Sequence, residues 1–429
     1  MLIIRGGHIV DPASGTDGIS DIYIENGVFA EECEQTENAE VIDAHGLYVA
    51  PGLVDMHVHF RDPGFTYKED VYSGAFAAAA GGVTTAVCMP NTKPVLDSAE
   101  GIAELLSRAE TACVNVLPFA AVTVGQGGEK LTDFDALKNA GAAALSDDGI
   151  PIDSEEVMRK ALLCAKNAGM LISSHCEYSY MVKNYAVNEG RISEKLGIPG
   201  RPATAEELMI ERDVRLASET GGRVHIAHVS TARSVDIIRK GKRAGALVTA
   251  ETCPQYFALT EDAVLTKGAL ARVNPPLRTE ADRLAVIEGL SDGTLDCLVT
   301  DHAPHSAEEK AKGLEGSMSG MVGLETSLAL ALTVLHHENK FTISKIIEIM
   351  STNPARVLGI PAGSLAPGAK ADIVIFNPNE KWTVDPNALH SKSKNTPFGG
   401  MELTGRVKTT ICGGKIVYNA ENGGKDNGI

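Results

Sequence analysis

The sequence lacks any apolar run approaching the roughly 20 residues that a membrane-spanning helix requires. Its start, MLIIRGGHIVDP, has a short apolar stretch and then a turn, without the longer apolar region and cleavage site of a secretion signal. We therefore expect a cytoplasmic protein with no membrane partner.

Positive charge is also scarce. The 39 lysines and arginines are outnumbered by 56 aspartates and glutamates, which gives a net charge of −17. Such a field repels polyanions, so we expect neither nucleic acid nor an anionic membrane as a partner. An anionic small-molecule substrate would need a local positive site.

Closely spaced cysteines are missing as well. The eight cysteines form no CxxC pair and no short-spaced framework, so a disulfide scaffold is not indicated and reduced thiols are expected. They lie at positions 33, 88, 113, 164, 176, 253, 297 and 412.

The middle of the chain alternates apolar, β-rich runs with longer helical segments. Strands buried on both faces have this appearance, and repeated βα units form a parallel sheet. Eight units close into a TIM (β/α)8 barrel, which we predict for residues 51–359 of the 429. The eight runs are GLVDMHVH, VTTAVCMP, VNVLPFAAVT, AAALSDD, GMLISSHCE, RVHIAHVS, ALVTAETCP and CLVTDHAP.

Both ends of the chain have a different pattern. Residues 1–50 and 360–429 contain short alternating runs broken by Gly and Asn, which is typical of small antiparallel strands joined by tight turns. We predict that the two ends meet beside the barrel and together form one small β-sandwich domain.

Side chains suited to metal binding end the apolar runs, which is where a TIM barrel places its chemistry. His57 and His59 end the first run and, because side chains alternate along a strand, point to the same side. Four histidines and two carboxylates exceed one tetrahedral Zn²⁺ site and favour a binuclear centre. The later candidates are Asp147 and Asp148, His175, His228 and Asp301.

Other polar residues are expected to be structural. A lone His is more often a hydrogen-bonded structural residue than a ligand. His225 lies three residues before His228, so an unbroken strand turns its side chain the other way. Asp55 and Asp147 are interpreted as capping, turn or supporting residues. The histidines left out of the ligand set are His8, His45, His336, His337 and His390.

Six motifs stand out along the chain: VDMHVHFRDPG at 54–64, MPN at 89–91, SDDG at 146–149, SHCE at 174–177, AHVS at 227–230 and TDHAPH at 300–305. Together they resemble the amidohydrolase superfamily, and more closely its class I bacterial dihydroorotase family. The combination of HxHxRxPG with TDHAPH is specific, and the resemblance covers essentially the whole chain, including GSLAPGAKADIVIFNP near its end.

This resemblance implies two Zn²⁺ ions per subunit, although the same ligands also suit Mn²⁺ and Co²⁺. Many relatives bridge their ions with a carboxylated lysine, whereas class I enzymes use an aspartate. Asp148 is preferred to Asp147 as this bridge by resemblance alone. The implied ligands are His57, His59 and Asp301 for one ion, His175 and His228 for the other, and Asp148 for both.

The resemblance also implies the reaction, which is reversible hydrolysis of the ring amide of dihydroorotate to N-carbamoyl-L-aspartate. Ring closure is the direction used in pyrimidine biosynthesis. Metal coordination lowers the pKa of water to about 7. Asp301 would take the proton of the attacking hydroxide and deliver it to the departing ring nitrogen, acting first as a base and then as an acid. A homodimer is the implied assembly.

Arg61 follows the HxH motif and would supply the local positive site. Its planar guanidinium suits a carboxylate in a bidentate manner. One stretch departs from the family, since relatives have a Pro and a Gly ahead of VGLE where this chain has SMSGMVGLE at 317–325. The residues expected to bind substrate are His59, Arg61, Asn91, Asn274, His305, Ser319 and Gly320.

Three other functions compete with this interpretation. An allantoinase or hydantoinase would share the metal ligands but not an Arg after HxHx. A catalytically inactive partner of aspartate transcarbamoylase would have lost ligands, and none is missing here. A metal-binding scaffold would need no Arg61, Asn91 and His305 together.

Overall fold

A computed structural model of the chain describes residues 1–31 and 39–422, so Cys33 lies outside the described residues. Sixteen strands occur in these two ranges. They are β1 (Leu2–Asp11), β2 (Thr16–Glu25), β3 (Val28–Ala30), β4 (Glu40–Asp43), β5 (Tyr48–Pro51), β6 (Leu53–Val58), β7 (Val83–Cys88), β8 (Asn115–Ala120), β9 (Ala144–Ser146), β10 (Ile172–Ser174), β11 (Val224–Ile226), β12 (Val248–Thr252), β13 (Cys297–Leu298), β14 (Ile373–Thr383), β15 (Glu402–Cys412) and β16 (Lys415–Asn419).

Helices separate the central strands, and π-helical turns at Ala331–Glu338 and Glu348–Thr352 continue two of them. Across the same ranges, no helix is long and apolar enough to cross a membrane. The α-helices are α1 (Val71–Ala80), α2 (Ala99–Ala109), α3 (Phe134–Asn139), α4 (Glu155–Ala168), α5 (Ser179–Val182), α6 (Arg191–Leu196), α7 (Thr204–Thr220), α8 (Ala232–Arg243), α9 (Pro254–Ala258), α10 (Ala263–Lys267), α11 (Glu280–Ser291), α12 (Ala307–Lys310), α13 (Gly313–Gly316), α14 (Ser327–Leu330), α15 (Ile343–Ile347) and α16 (Asn353–Leu358).

Strands β6 to β13 pair in sequence order, each parallel to the next, and form a barrel. All six residues of β6 and all six of β7 are buried, which explains their continuous apolar character. The barrel closes where Val58 bridges His302, and the N–H of His59 donates to the His302 carbonyl at 2.9 Å. The predicted (β/α)8 barrel is confirmed.

Local signals fix the ends of the helices that cover the barrel. The Ser154 hydroxyl accepts a hydrogen bond from the N–H of Val157 and so caps the start of α4. Gly169 ends the same helix with a left-handed φ of 65°. Each βα unit therefore returns the chain to the bottom of the barrel, and the carboxyl ends of all eight strands meet at one face.

The two ends of the chain join in one mostly antiparallel sheet, as predicted for the β domain. Strand β14, from the C-terminal part, pairs with β5 from the N-terminal part, and the path runs β16-β15-β14-β5-β1-β2-β3 with β4 beside β1. A separate apolar core lies against it, which includes Leu2, Ile4, Ile9, Val49, Ile373, Ile375 and Ile411. The exact division at residues 51 and 359 stays a prediction.

Candidate functional site

The six candidate metal ligands lie together at the carboxyl face of the barrel, and all six are buried. His57 is in β6, and His59 follows that strand. The other four follow their strands by one to three residues, at the ends of β9, β10, β11 and β13. They are Asp148, His175, His228 and Asp301.

Asp148 lies at the centre of this cluster. Its carboxylate oxygens are 3.5 Å from Nε2 of His57 and 3.5 Å from Nε2 of His59. They are 3.4 Å from Nδ1 of His175 and 3.4 Å from Nε2 of His228. One carboxylate thus faces all four imidazoles, which is the position that a bridging ligand requires.

Asp301 follows β13, the last strand of the barrel, and its carboxylate lies against the same cluster. Its Oδ1 is 3.1 Å from Nε2 of His59 and 3.7 Å from Nε2 of His57. Two groups therefore have ligand atoms close enough to hold an ion, and they share His57. The groups are His57, Asp148 and His228, and His57, His59 and Asp301.

The donor set fits divalent cations. Nε2 of His57 and Oδ1 of Asp148 are buried and have no hydrogen-bond partner among the described residues. Buried polar atoms are almost always paired, so these two atoms are suited to binding a metal ion. Two ligands each about 2.1 Å from one tetrahedral ion lie about 3.4 Å apart, close to the separations measured around Asp148.

Electrostatics favour a cation at this position. Burial opposes charge on His57, yet the Glu251 and Asp148 carboxylates dominate and hold its pKa well above the ordinary value. Burial likewise opposes charge on Asp148, but the surrounding histidines, His57 first, hold its pKa well below the ordinary value. The negative potential that favours an imidazolium here would equally favour a bound metal ion.

Glu251 in β12 orients His57, a role that the sequence did not reveal. The Nδ1–H of His57 donates to Oε1 of Glu251 at 2.5 Å, which leaves Nε2 directed at the cluster. His225 contacts the other oxygen of Glu251 at 3.1 Å rather than joining the ligands. Burial raises and the two histidines lower the pKa of Glu251, which is about 2. An ionisable residue inside the buried run ALVTAETCP was the available signal.

Asp55 and Asp147 accept hydrogen bonds from the backbone. Asp55 receives the N–H groups of His57 and Thr300, and Asp147 receives those of Val122 and Thr123. The histidines assigned to structural roles bond outside the cluster: His8 to Asp17, His45 to Asp43, His336 to Phe341, His337 to Pro378 and His390 to Glu325.

A cavity of about 470 Å³ opens onto the cluster, and all seven residues expected to bind substrate line it. Arg61 donates through Nε to the Pro304 carbonyl at 3.3 Å, and one of its terminal nitrogens lies 3.4 Å from Nε2 of His305. Asn91 accepts from Nδ1 of His59 at 2.9 Å and donates to Oδ2 of Asp148 at 3.3 Å. Asn91 therefore also orients two ligands.

The opposite wall contains an ion pair that the sequence did not identify. Arg201 bonds both oxygens of Glu177, at 2.9 and 2.8 Å, and also donates to Oδ1 of Asn274. The amide nitrogen of Asn274 lies 3.3 Å from Glu177 and 3.3 Å from Nε2 of His175. Asn274 is thus placed where its amide borders both the cluster and the cavity.

Ser319 and Gly320 lie at the edge of the cavity, where their main chain is bonded back into the protein. The N–H of Gly320 donates to the Arg272 carbonyl at 2.9 Å and is not free for a substrate. The Ser319 carbonyl accepts from Nε2 of His305 at 2.8 Å. The segment bonds back into the protein through its main chain, which a search for side-chain motifs does not detect.

Three site residues have left-handed backbone conformations that non-glycine residues rarely adopt. They are Arg61, with φ of 59°, His228, with 35°, and Asp301, with 48°. Such strain persists where the surrounding structure enforces it, and it clusters at functional sites. It turns these side chains into the cavity after their strands end.

Comparison with known proteins places the chain among enzymes that act on cyclic amides. A family model described as Dihydro-orotase-like matches residues 46–234. Dihydroorotase from Clostridioides difficile (strain 630) is 47% identical, covering 98% of this chain and 100% of its own. Dihydroorotase from Geobacter metallireducens is 48% identical, covering 97% and 99%. The solved L-hydantoinase (dihydropyrimidinase) from Arthrobacter aurescens superposes with a TM-score of 0.87 at 26% identity, covering 97% and 95%.

Proposed function

The chain belongs to the dihydroorotase family, and from that membership we propose that it hydrolyses the ring amide of (S)-dihydroorotate reversibly to N-carbamoyl-L-aspartate. Ring closure would serve de novo pyrimidine (UMP) biosynthesis. The observation that carries the proposal is the 47% identity over the whole length of a dihydroorotase. A cationic Arg61 beside the ligand cluster adds to it.

We propose two Zn²⁺ ions per subunit, held by His57, His59 and Asp301 on one side, by His175 and His228 on the other, and by Asp148 between them. The unpartnered Nε2 of His57 and Oδ1 of Asp148 support this assignment. When bound, such ions lower the pKa of a water and polarise the amide carbonyl.

Asp301 is the residue that we assign to proton transfer. It borders the cavity and lies 3.1 Å from His59. In hydrolysis its carboxylate takes a proton from the attacking water and delivers it to the departing ring nitrogen. In ring closure the same carboxylate first removes a proton from the carbamoyl nitrogen, which attacks a carboxyl carbon of the substrate. Asp301 then returns the proton to the oxygen that departs from this carbon, so one group serves both directions.

Arg61 would bind the carboxylate of the substrate, with His305 and Asn91 beside it. Replacing Arg61 with Gln removes the charged donors, and a hydrogen bond to a charged group contributes about 1.5–3 kcal/mol. We expect KM for dihydroorotate to rise roughly 10- to 100-fold, measured by steady-state kinetics. Turnover of hydantoin, which carries no carboxylate, should change little.

Lys183→Gln is the matched control for this experiment, because Lys183 lines the same cavity and the substitution removes the same charge. KM should stay within about threefold of the wild-type value, since a screened surface charge contributes little. An equal rise in both variants would show that the general field of the cavity, and not Arg61, binds the carboxylate.

Glu251→Gln tests the orientation of His57. The loss of a residue that orients a metal ligand typically lowers metal affinity by about 10- to 100-fold. We expect that loss in a chelator competition titration. Glu206→Gln is the control, because Glu206 is also buried in the barrel but bonds Ser230 and Ser234. Unchanged affinity in Glu251→Gln would contradict the assigned role.

The function itself is tested by the substrate. Purified protein should turn over dihydroorotate faster than allantoin or hydantoin, followed by absorbance and by chromatography of the opened products. Turnover of allantoin or hydantoin without dihydroorotate would assign the chain to another cyclic amidase, despite its close relatives.

We propose a homodimer in the cytoplasm, as the resemblance implies. Six described cysteines are free thiols, which suits a reducing compartment; they are Cys88, Cys164, Cys176, Cys253, Cys297 and Cys412. Gel filtration with light scattering would give the mass of the assembly.

A further inference from the structure

Two buried cations, Lys310 and Arg272, lie near the cavity. Lys310, at the end of α12, is 7% exposed and Arg272 is 1% exposed. Neither takes part in any ion pair within residues 1–31 and 39–422. Burial and the charge of Arg272 lower the pKa of Lys310 to about 7. Burying a charge without an ion-pair partner costs free energy of folding, so stability alone does not explain why these two cations are buried here.

Main-chain carbonyls take the place of the missing carboxylates. Nζ of Lys310 donates to Met318 O at 2.8 Å, Gly320 O at 3.0 Å and Arg272 O at 3.4 Å, which uses all three of its protons. The Arg272 guanidinium donates to Leu314 O at 2.9 Å and Glu315 O at 2.6 Å. The two cations therefore hold both ends of residues 314–320, called here the roof segment.

The roof segment borders the substrate cavity. Ser317, Met318 and Ser319 line it, and the carbonyl of Ser319 accepts from His305, which lies 3.4 Å from Arg61. A displacement of the roof segment would therefore move His305 and, through it, the neighbourhood of Arg61.

The tip of the roof segment is held through its main chain, whereas nearer its start Leu314 packs against the core and Ser317 is buried. Met318 is 48% exposed, while the carbonyls on either side of Ser319 are bonded to Lys310. The amide of Asn395 adds a further donor to Gly320 O at 3.1 Å. Hydrogen bonds to main-chain carbonyls do not depend on which side chains are present. The roof segment can therefore keep its position although its sequence, SMSG at 317–320, differs from that of the family.

We propose that Lys310, together with Arg272, is a positioning residue for substrate binding, which holds the roof segment over the cavity through its carbonyls and so fixes His305 beside Arg61. The proposal rests on the proposed function for its kinetic consequence. Its structural consequence is independent of substrate. Neither residue contacts the ligand cluster in the described structure, so metal content should be unaffected by their replacement.

The test compares Lys310→Met, which keeps the length of the side chain but removes every donor, with Lys310→Gln, which keeps two donors. Lys312→Met is the matched control, because Lys312 is exposed two residues further on. For Lys310→Met we expect KM for dihydroorotate to rise about tenfold or more, with kcat within about threefold, as the loss of charged hydrogen bonds implies. Lys310→Gln should fall between this variant and the wild type, and Lys312→Met should match the wild type.

Amide hydrogen exchange without substrate supplies the second measurement. Exchange at the Gly320 N–H should accelerate at least about tenfold in Lys310→Met, while amides of the barrel strands stay protected. Unchanged exchange and unchanged KM would overturn the proposal. A loss of amide protection throughout the barrel, together with release of the metal, would also overturn it, because Lys310 would then stabilise the whole fold and not the roof segment.

If Lys310→Met does not fold, the same two measurements on Lys310→Gln decide between these outcomes. If the wild type fails to turn over dihydroorotate, the function is refuted and the exchange result still decides the role of Lys310.

Discussion

Replacing Asp148 with Asn is expected to deplete the metal centre and to lower kcat by at least about 10³-fold. The substitution keeps the shape but removes the charge from a side chain whose carboxylate lies 3.4–3.5 Å from four imidazole nitrogens. Loss of a residue that only orients a ligand already weakens metal binding about 10- to 100-fold, and a shared ligand should cost more. Metal per chain by mass spectrometry and dihydroorotate turnover would measure both effects.

Asp147→Asn is the control, since the chain offers a second aspartate directly before Asp148. Its carboxylate faces the backbone N–H groups of Val122 and Thr123 rather than the cluster, and burial raises its pKa to about 6. This variant should keep its metal and most of its activity, even if its stability falls. Two ions per chain and full activity in Asp148→Asn would refute the bridging assignment.

Replacing Asp301 with Asn should lower kcat by about 10²- to 10⁴-fold, the usual contribution of a general acid or base. The amide oxygen of Asn still offers a ligand atom, but it cannot accept and return a proton at neutral pH. KM should change much less, because Arg61 and its neighbours bind the substrate carboxylate. Initial rates of ring opening and ring closure, both measured at saturating Zn²⁺, would test this expectation.

Saturating metal separates the two roles assigned to Asp301. If added Zn²⁺ restored kcat of Asp301→Asn to within about tenfold of the wild type, Asp301 would act only as a ligand and another base would be needed. A loss that persists with both ions bound would support proton transfer by this carboxylate.

The barrel and its ligand candidates could be predicted from the sequence because their signals are local. An apolar run of a few residues that ends in His or Asp indicates both a buried strand and the face at which it ends. The alternation of side chains also separated His225 from His228, and the structure places His225 against Glu251, away from the cluster. The choice of Asp148 over Asp147 was different, since adjacent residues carry the same local signal.

Other features of the site depend on pairs of residues that lie far apart in the chain. Glu251 is 194 residues from His57, and Arg201 is 73 residues from Asn274. Nothing in either segment alone specifies its partner, because the distance between them is fixed only when the strands pack into a barrel. The hydrogen bond from the Gly320 N–H to the Arg272 carbonyl could not be predicted for the same reason.

The sequence by itself thus determined the order of the βα units, the face on which the chemistry lies and the residue types available to hold a metal. These follow from hydrophobic periodicity and chain direction, which neighbouring residues encode. Only the tertiary structure decided which carboxylate faces all four imidazoles, which glutamate orients His57 and which cations hold the roof segment. Those are contacts between distant segments, and their geometry exists only once the barrel has closed.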